Sequence, residues 1–316
     1  YGFLNELPSQ ALQQKLQDLD KAFKDAFDKN QPFKRIPVFK RKGQADSFRY
    51  PQGFKIEQEN NRVFLPKIGW VKYRNSRKVV GTVKNITVSC KGQHWYVSIQ
   101  VEYEIPEVAH KFTSAIGVDV GIKRFVAFSD GEFKEPLNSF KQSQNTLAKL
   151  QRQLSNKVKF SKNWQKHKAK ITQLHEKIAN ARHDYLHKIS TQLCENQAVI
   201  AVEDLKIKSM AKSAKGTSEQ HGKRVKQKSG LNKSILDQGW GMFVGMLEYK
   251  QDWNGGMVIK VPAHHTSQTC PSCRHVSKEN RQTQADFVCV ACGYSNNADI
   301  VGAINILTRG LSGASL

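Results

Sequence analysis

The stretch from Cys270 to Leu307 constrains this chain more than any other, reading CPSC, RHVSKENRQTQADFV, CVAC and GYSNNADIVGAINIL in succession. Two Cys-x-x-Cys pairs, Cys270/Cys273 and Cys289/Cys292, stand fifteen residues apart. That spacing is expected of a four-cysteine zinc site. Each pair places two thiolates on one side of a tight knuckle, and two knuckles close a tetrahedron around a structural Zn²⁺. A loop-rich segment this short needs the ion, because it cannot bury enough apolar surface alone. Disulfides are the competing reading, and they call for export. Yet the sequence has no run of about eighteen apolar residues and no charged start leading into an apolar h-region. A cytoplasmic, nucleoid-associated protein is expected. Beyond the second knuckle, Asn297-Ala298-Asp299 opens an apolar series, Ile300, Val301, Ala303, Ile304, Ile306 and Leu307, at helical spacing. Asp299 reads either as the cap of that helix or as a functional acid.

Charge narrows the partners. The 316 residues carry 50 Lys and Arg against 27 Asp and Glu, a net +23. An excess of this size calls for a polyanion, with nucleic acid the first candidate and an anionic membrane surface the second. No membrane span and no small-molecule substrate is expected. With 39% hydrophobic and 24% charged residues, the chain is globular and long enough for two or three cores. Cys90 and Cys194 lie in apolar contexts and read as buried thiols.

Taken in order, Leu4 to Phe27 show apolar residues at three- and four-residue steps, which predicts a helix over 4–29 starting near Pro8-Ser9. Phe33-Lys34-Arg35 and Phe39-Lys40-Arg41-Lys42 then interleave rings with cations, as surfaces that stack bases and grip phosphates do. From 47 to 104 the period changes to two, which predicts four or more antiparallel strands in a small barrel or curled sheet. Residues 115–131 read as a hairpin with Asp119 inside its apolar first arm, a costly place for a carboxylate without a partner or cation. Residues 140–196 read as one or two helices with a basic face (Lys157, Lys159, Lys162, Lys166, Lys168, Lys170, Arg182). Ala198 to Leu205 is a buried strand that delivers Glu203, beside Asp204. Residues 206–233, with Lys223, Arg224, Lys226 and Lys228, are poor in apolar residues and predict a flexible lid that orders on a polyanion. A helix from about Leu236 to Tyr249 and a strand over 258–261 complete the approach to the cysteines.

Three acids thus stand at margins of separate apolar elements: Asp119, Glu203 and Asp299. In a mixed α/β arrangement such margins converge. Converging carboxylates repel and need hard cations, which makes Mg²⁺ the expected catalytic metal and phosphodiester hydrolysis the expected chemistry.

The same residues carry a resemblance. GVDVGIKRF around Asp119, VEDL at Glu203, and TSQTCPSC with NRQTQADFVCVACGYSNNADIVGAINIL resemble the three split RuvC motifs and the zinc ribbon of the TnpB (OrfB) family. LPSQALQQKLQDLDKAF, PVFKRKGQADSFRY and LPKIGWVKY resemble its N-terminal half. These transposon-encoded proteins are ancestral to type V CRISPR effectors. The resemblance implies an α/β plus β architecture: an RNase H-like (RuvC) nuclease domain with an inserted zinc ribbon, preceded by a wedge-type β-barrel and a helix. It implies a helical recognition-lobe remnant over 1–31, the barrel over 32–112, the nuclease domain over 113–265 and 296–316, and the ribbon over 266–295. It also implies RNA-guided DNA cleavage, with a guide RNA from the transposon end and a target DNA as partners. Asp119, Glu203 and Asp299 would be the catalytic, Mg²⁺-binding acids, and Cys270, Cys273, Cys289 and Cys292 the zinc ligands. Two departures from the family pattern stand out. Arg274 replaces the glycine that usually follows the second cysteine, and a first barrel strand and recognition helices are expected upstream of Tyr1. Two other readings compete: a cleavage-impaired nucleic-acid-binding relative, and a transposase that joins strands.

Overall fold

Pro8, with φ fixed near −64°, sets the start of helix α1 (Ser9–Phe27), which follows a single 3-10 turn at Gly2–Glu6. The computed structural model describes residues 2–39, 46–104 and 106–313, and the chain divides into two units, Tyr1–Ile105 and Pro106–Leu316. Lys40, Arg41 and Lys42 lie outside the described residues.

In the first unit α1 turns Ala11 inward and ties to the sheet through Arg49–Asp18 at 3.0 Å. Its Leu16, Leu19, Phe23 and Phe27 stay exposed. Six strands follow: β1 (Ser47–Tyr50), β2 (Lys55–Glu57), β3 (Arg62–Leu65), β4 (Gly69–Lys72), β5 (Thr82–Lys91) and β6 (His94–Glu102). They form two antiparallel three-stranded sheets, β1-β5-β6 and β2-β3-β4. Both sheets feed one core, Tyr50 and Ile86 from the first, Val63 and Leu65 from the second. The six antiparallel strands meet the expectation of four or more, and no ladder joins the two sheets among the described residues.

The second unit is built on a five-stranded mixed sheet. Strands β7 (Ala115–Val120), β8 (Val126–Phe128) and β9 (Phe133–Lys134) form an antiparallel meander. Helices α2 (Ser139–Ser155) and α3 (Lys162–Asn196) lead to β10 (Val199–Glu203). After α4 (Ile207–Met210), α5 (Val225–Gln238) and α6 (Trp240–Asn254) comes β11 (Met257–Val261). The sheet order is β11-β10-β7-β8-β9, with β10 parallel to both of its neighbours. Its central strands are apolar up to the acids Asp119 and Glu203 near their C-terminal ends, because both faces are covered. Val118, Ile200 and Val202 face a core shared with Leu186 of α3 and with Phe243 and Leu247 of α6. Ala201 and Val261 face the other way, against Ile306 of α7 (Ala298–Gly313). A short hairpin, β12 (Asp286–Val288) and β13 (Ser295–Asn297), precedes α7. Among the described residues no helix is long and apolar enough to cross a membrane.

The stretch expected as a lid over 206–233 contains instead α4 and most of α5, and the helix expected at 236–249 is the end of α5 plus α6. Gly239, at φ +73°, makes the bend between α5 and α6. α5 buries one apolar side chain, Ile235, and is otherwise held by polar groups, so apolar periodicity does not reveal it. Asp237 accepts from Ser139 Oγ at 3.2 Å and from the backbone N–H groups of Phe140 and Lys141 at 3.1 and 3.3 Å. It therefore caps α2 from another helix, because Asn138 at the N-terminus is left-handed and makes no side-chain cap. Arg182 Nη2 closes the network on Asp237 Oδ1 at 2.8 Å. Arg182 therefore leaves the basic face to which its charge assigns it.

Candidate active site

Parallel pairing of β7 and β10 sets the first two acids side by side. Val202 lies opposite Val118, so Glu203 and Asp119 are each the next residue along adjacent strands and point to one face. That face belongs to α7. A β-carbon on Gly117, two residues before Asp119, would meet Ala303 O at 2.0 Å, so the bare glycine lets the helix backbone lie against the strand. Gly302 does the same opposite Asp119, where an added β-carbon would sit 2.8 Å from Oδ2. Asp299 enters from the first turn of α7. It is not the cap: Asn297 Oδ1 accepts the Asp299 N–H at 3.0 Å, which leaves the Asp299 carboxylate to other work.

The electrostatics tie the three acids together. Burial, then the charges of Glu203 and Asp299, hold Asp119 well above the ordinary carboxylate range of 3.8, and Arg281 opposes them. Burial also raises Glu203, offset by a hydrogen bond from Thr266 and the charge of Arg309. Their ligand oxygens do not all converge within 4.8 Å, as the cysteine sulfurs do. Three half-buried carboxylates whose charges act on one another, all hard oxygen donors, fit divalent cations. Asp204, the neighbour of Glu203, stands apart, exposed and paired with Lys206 at 2.5 Å.

Four residues at this site escape the sequence reading. Thr266 Oγ1 donates to Glu203 Oε1 at 2.6 Å, and Arg281 Nη2 lies 3.5 Å from Asp299 Oδ1. Asn305 and Arg309 of α7 bond the turn that carries Thr266. Asn305 had a signal, an amide 4% exposed in the middle of an apolar helix. The others become visible only through tertiary contact.

The four cysteines meet as their spacing predicts, with all four sulfurs within 4.8 Å of one another. Cys270 and Cys292 stand 3.6 Å apart, Cys273 and Cys289 3.5 Å. The two knuckles match: the Arg274 N–H donates to Cys270 O at 3.0 Å and the Gly293 N–H to Cys289 O at 2.9 Å. Arg274 adopts φ +64° where Gly293 adopts +73°, so the substituted knuckle keeps its shape at the expense of backbone strain. Such a thiolate set suits a soft-to-borderline ion such as Zn²⁺. β13 runs straight into α7, so the cysteine module is joined to Asp299 without a flexible link.

Lys223, Arg224 and Lys226 are exposed at the start of α5. Lys228 is half-buried, and its Nζ donates to Met210 O, which removes it from that exposed set.

Comparison with known proteins adds the following. Residues 98–214 match the OrfB_IS605 family model, described as "Probable transposase", and residues 240–306 match the "Cas12f1-like, TNB domain" model. The chain is 54% identical over 308 residues to "Putative RNA-guided DNA endonuclease InsQ" of Escherichia coli K12, covering 98% of this chain and 76% of that protein. It is 30% identical to a Streptomyces pristinaespiralis protein with the same description, covering 99% of this chain and 74% of the relative. A cryo-EM structure of the Cas12f1–sgRNA–target DNA complex overlaps loosely, with a TM-score of 0.41 at 18% identity over 86% of this chain and 69% of that one.

Proposed function

Because this chain belongs to the TnpB (OrfB) family, we propose that it is a transposon-associated, RNA-guided DNA endonuclease that hydrolyses phosphodiesters at Asp119, Glu203 and Asp299. The observation that carries this is the placement of the three acids: Asp119 and Glu203 at matching positions on the adjacent strands β7 and β10, and Asp299 in the first turn of α7, which packs on that face. The sheet order, with the first acid on the central strand, supports an RNase H-like (RuvC) nuclease domain over 113–265 and 296–316. The cysteine knuckles support a zinc ribbon over 266–295, and the two antiparallel sheets on one core support a wedge-type barrel over 32–112, after a recognition-lobe remnant at 1–31. Guide RNA from the transposon end and target DNA are the partners, gripped by a chain of net charge +23 in the cytoplasm, at the nucleoid.

The protein's own part is to bind and orient. Asp119 and Glu203, fixed on adjacent strands, present oxygens to one face, and Asp299 closes that face from the helix. Mg²⁺ held there would lower the pKa of an attacking water and neutralise charge building on the phosphate. Arg281, beside Asp299, adds a fixed positive charge at the same edge.

The test is cleavage of a plasmid bearing a guide-matched target. Asp119→Ala, Glu203→Ala and Asp299→Ala should each lower cleavage by roughly 10³-fold or more, with the triple variant no worse, since the residues act as a unit. RNA and DNA binding should be retained. Full cleavage by the Asp119→Ala protein overturns the reading, and binding without cleavage in the unaltered chain assigns the cleavage-impaired alternative.

A further inference from the structure

The turn at 262–269 leaves the end of β11 and is held by α7 at four backbone carbonyls. Asn305 Nδ2 donates to Thr266 O at 2.8 Å and to Thr269 O at 2.7 Å. Arg309 Nη1 donates to Pro262 O at 2.7 Å and to His264 O at 2.8 Å. Four residues apart, these two side chains share one face of the helix. The helix that brings Asp299 to the acid site therefore also fixes the turn beside Glu203.

That clamp delivers one hydroxyl. Thr266 is only 4% exposed, and its Oγ1 stands 2.6 Å from Glu203 Oε1, against 3.2 Å from Ala263 O. A hydroxyl has a single proton to give. The shorter distance is that of a charge-assisted bond to a carboxylate. It occupies Oε1 and leaves Oε2 for a cation. A glutamate side chain on a strand end otherwise rotates freely about its outer torsion.

We infer that Thr266 is a positioning residue for the acid site: its hydroxyl locks the Glu203 carboxylate so that a divalent cation is taken through the remaining oxygen. This rests on the assignment of Glu203 as a metal ligand. Outer partners of this kind are worth 10- to 100-fold in metal affinity. Asn305 and Arg309 act one step further out, by fixing the backbone on which Thr266 rides.

The experiment titrates Mn²⁺ into the purified chain without RNA and reads free Mn²⁺ by electron paramagnetic resonance. Asp119→Ala identifies the acid-site component. Thr266→Val, nearly isosteric but without the hydroxyl, should weaken that component about tenfold, whereas Thr266→Ser should bind within about twofold of wild type. If valine disturbs the turn, Thr266→Ala keeps the backbone carbonyl that Asn305 holds and should show the same loss. Unchanged Mn²⁺ binding in the valine and alanine variants overturns the proposal, as does a serine variant as weak as valine. A wild-type chain with no Mn²⁺ component sensitive to Asp119→Ala is a different result, and overturns the acid-site reading itself.

Discussion

A β-carbon on Gly302 would stand 2.8 Å from Asp119 Oδ2, so the bare glycine lets α7 lie close to the acid without displacing its carboxylate. The atom it would strike is the far end of a rotatable side chain, and alanine favours a helix interior over glycine by about 1 kcal/mol. Gly302→Ala should therefore keep or raise the melting temperature while displacing Asp119, and cleavage should fall about 100-fold. At Gly117 the obstacle is backbone, Ala303 O at 2.0 Å, and Gly117→Ala should destabilise by about 3 kcal/mol or more in urea. The pair separates damage to the site from damage to the fold.

Asp119 also gives a pH dependence with a definite sign. Burial, then the charges of Glu203 and Asp299, raise its folded pKa above the unfolded value, so folding favours the protonated acid. That contribution to stability is complete below the unfolded pKa and is lost as pH rises through the folded one. In magnesium-free buffer, Asp119→Asn should melt roughly 2–4 °C higher at pH 7, with the gap narrowing toward pH 4. Added Mg²⁺ should stabilise wild type and not the variant, as differential scanning fluorimetry can read.

Asp237 holds α2, α3 and α5 at one point. Its side chain is 5% exposed and that of its partner Arg182 21% exposed. Asp237→Ala leaves a largely buried cation unpaired and strips the cap from α2, so it should cost roughly 3–5 kcal/mol in urea unfolding. Asp237→Asn, which keeps an acceptor, should cost less.

The cysteine cluster predicts about one Zn²⁺ per chain by metal analysis. Cys289→Ser should release it and expose 266–295 to protease. The loss should reach cleavage as well, because β13 feeds directly into α7 and Asp299.

Among the basic residues of α5, exposure separates Lys226, free to meet phosphate if nucleic acid binds here, from Lys228, which bonds Met210 O. Neutralising Lys226 should reduce the slope of log affinity against log salt by about one, and neutralising Lys228 should leave the slope unchanged while loosening α4. Filter binding between about 50 and 200 mM salt reads both.

Much of this was legible in the residues themselves. The knuckle spacing and the apolar runs around Asp119, Glu203 and Asp299 are local patterns; the four sulfurs meet as the spacing predicts, and the acids lie on β7, β10 and the first turn of α7. Asn297 as the cap of α7 was hidden because Asp299 offers an equally good capping side chain two residues later. α5 was hidden because it sends only Ile235 into the core and is otherwise secured by Asp237 rather than by an apolar stripe. Thr266 and Arg281 gain their meaning only from contacts 63 and 18 residues away, and no periodicity encodes that.

The docking of α7 on β7 has a consequence in time. Asp119 and Asp299 are 180 positions apart (299 − 119), and the clamp residues Asn305 and Arg309 come later still. At about 5–20 residues per second, a ribosome delivers the third acid roughly 10–35 s after the first. A nascent chain that has not yet made α7 carries two of the three acids, an unheld turn and no closing helix. Asp299 can join Asp119 and Glu203 only once α7 has been made and has docked, so the assembly of the three acids is a late event in the life of the chain.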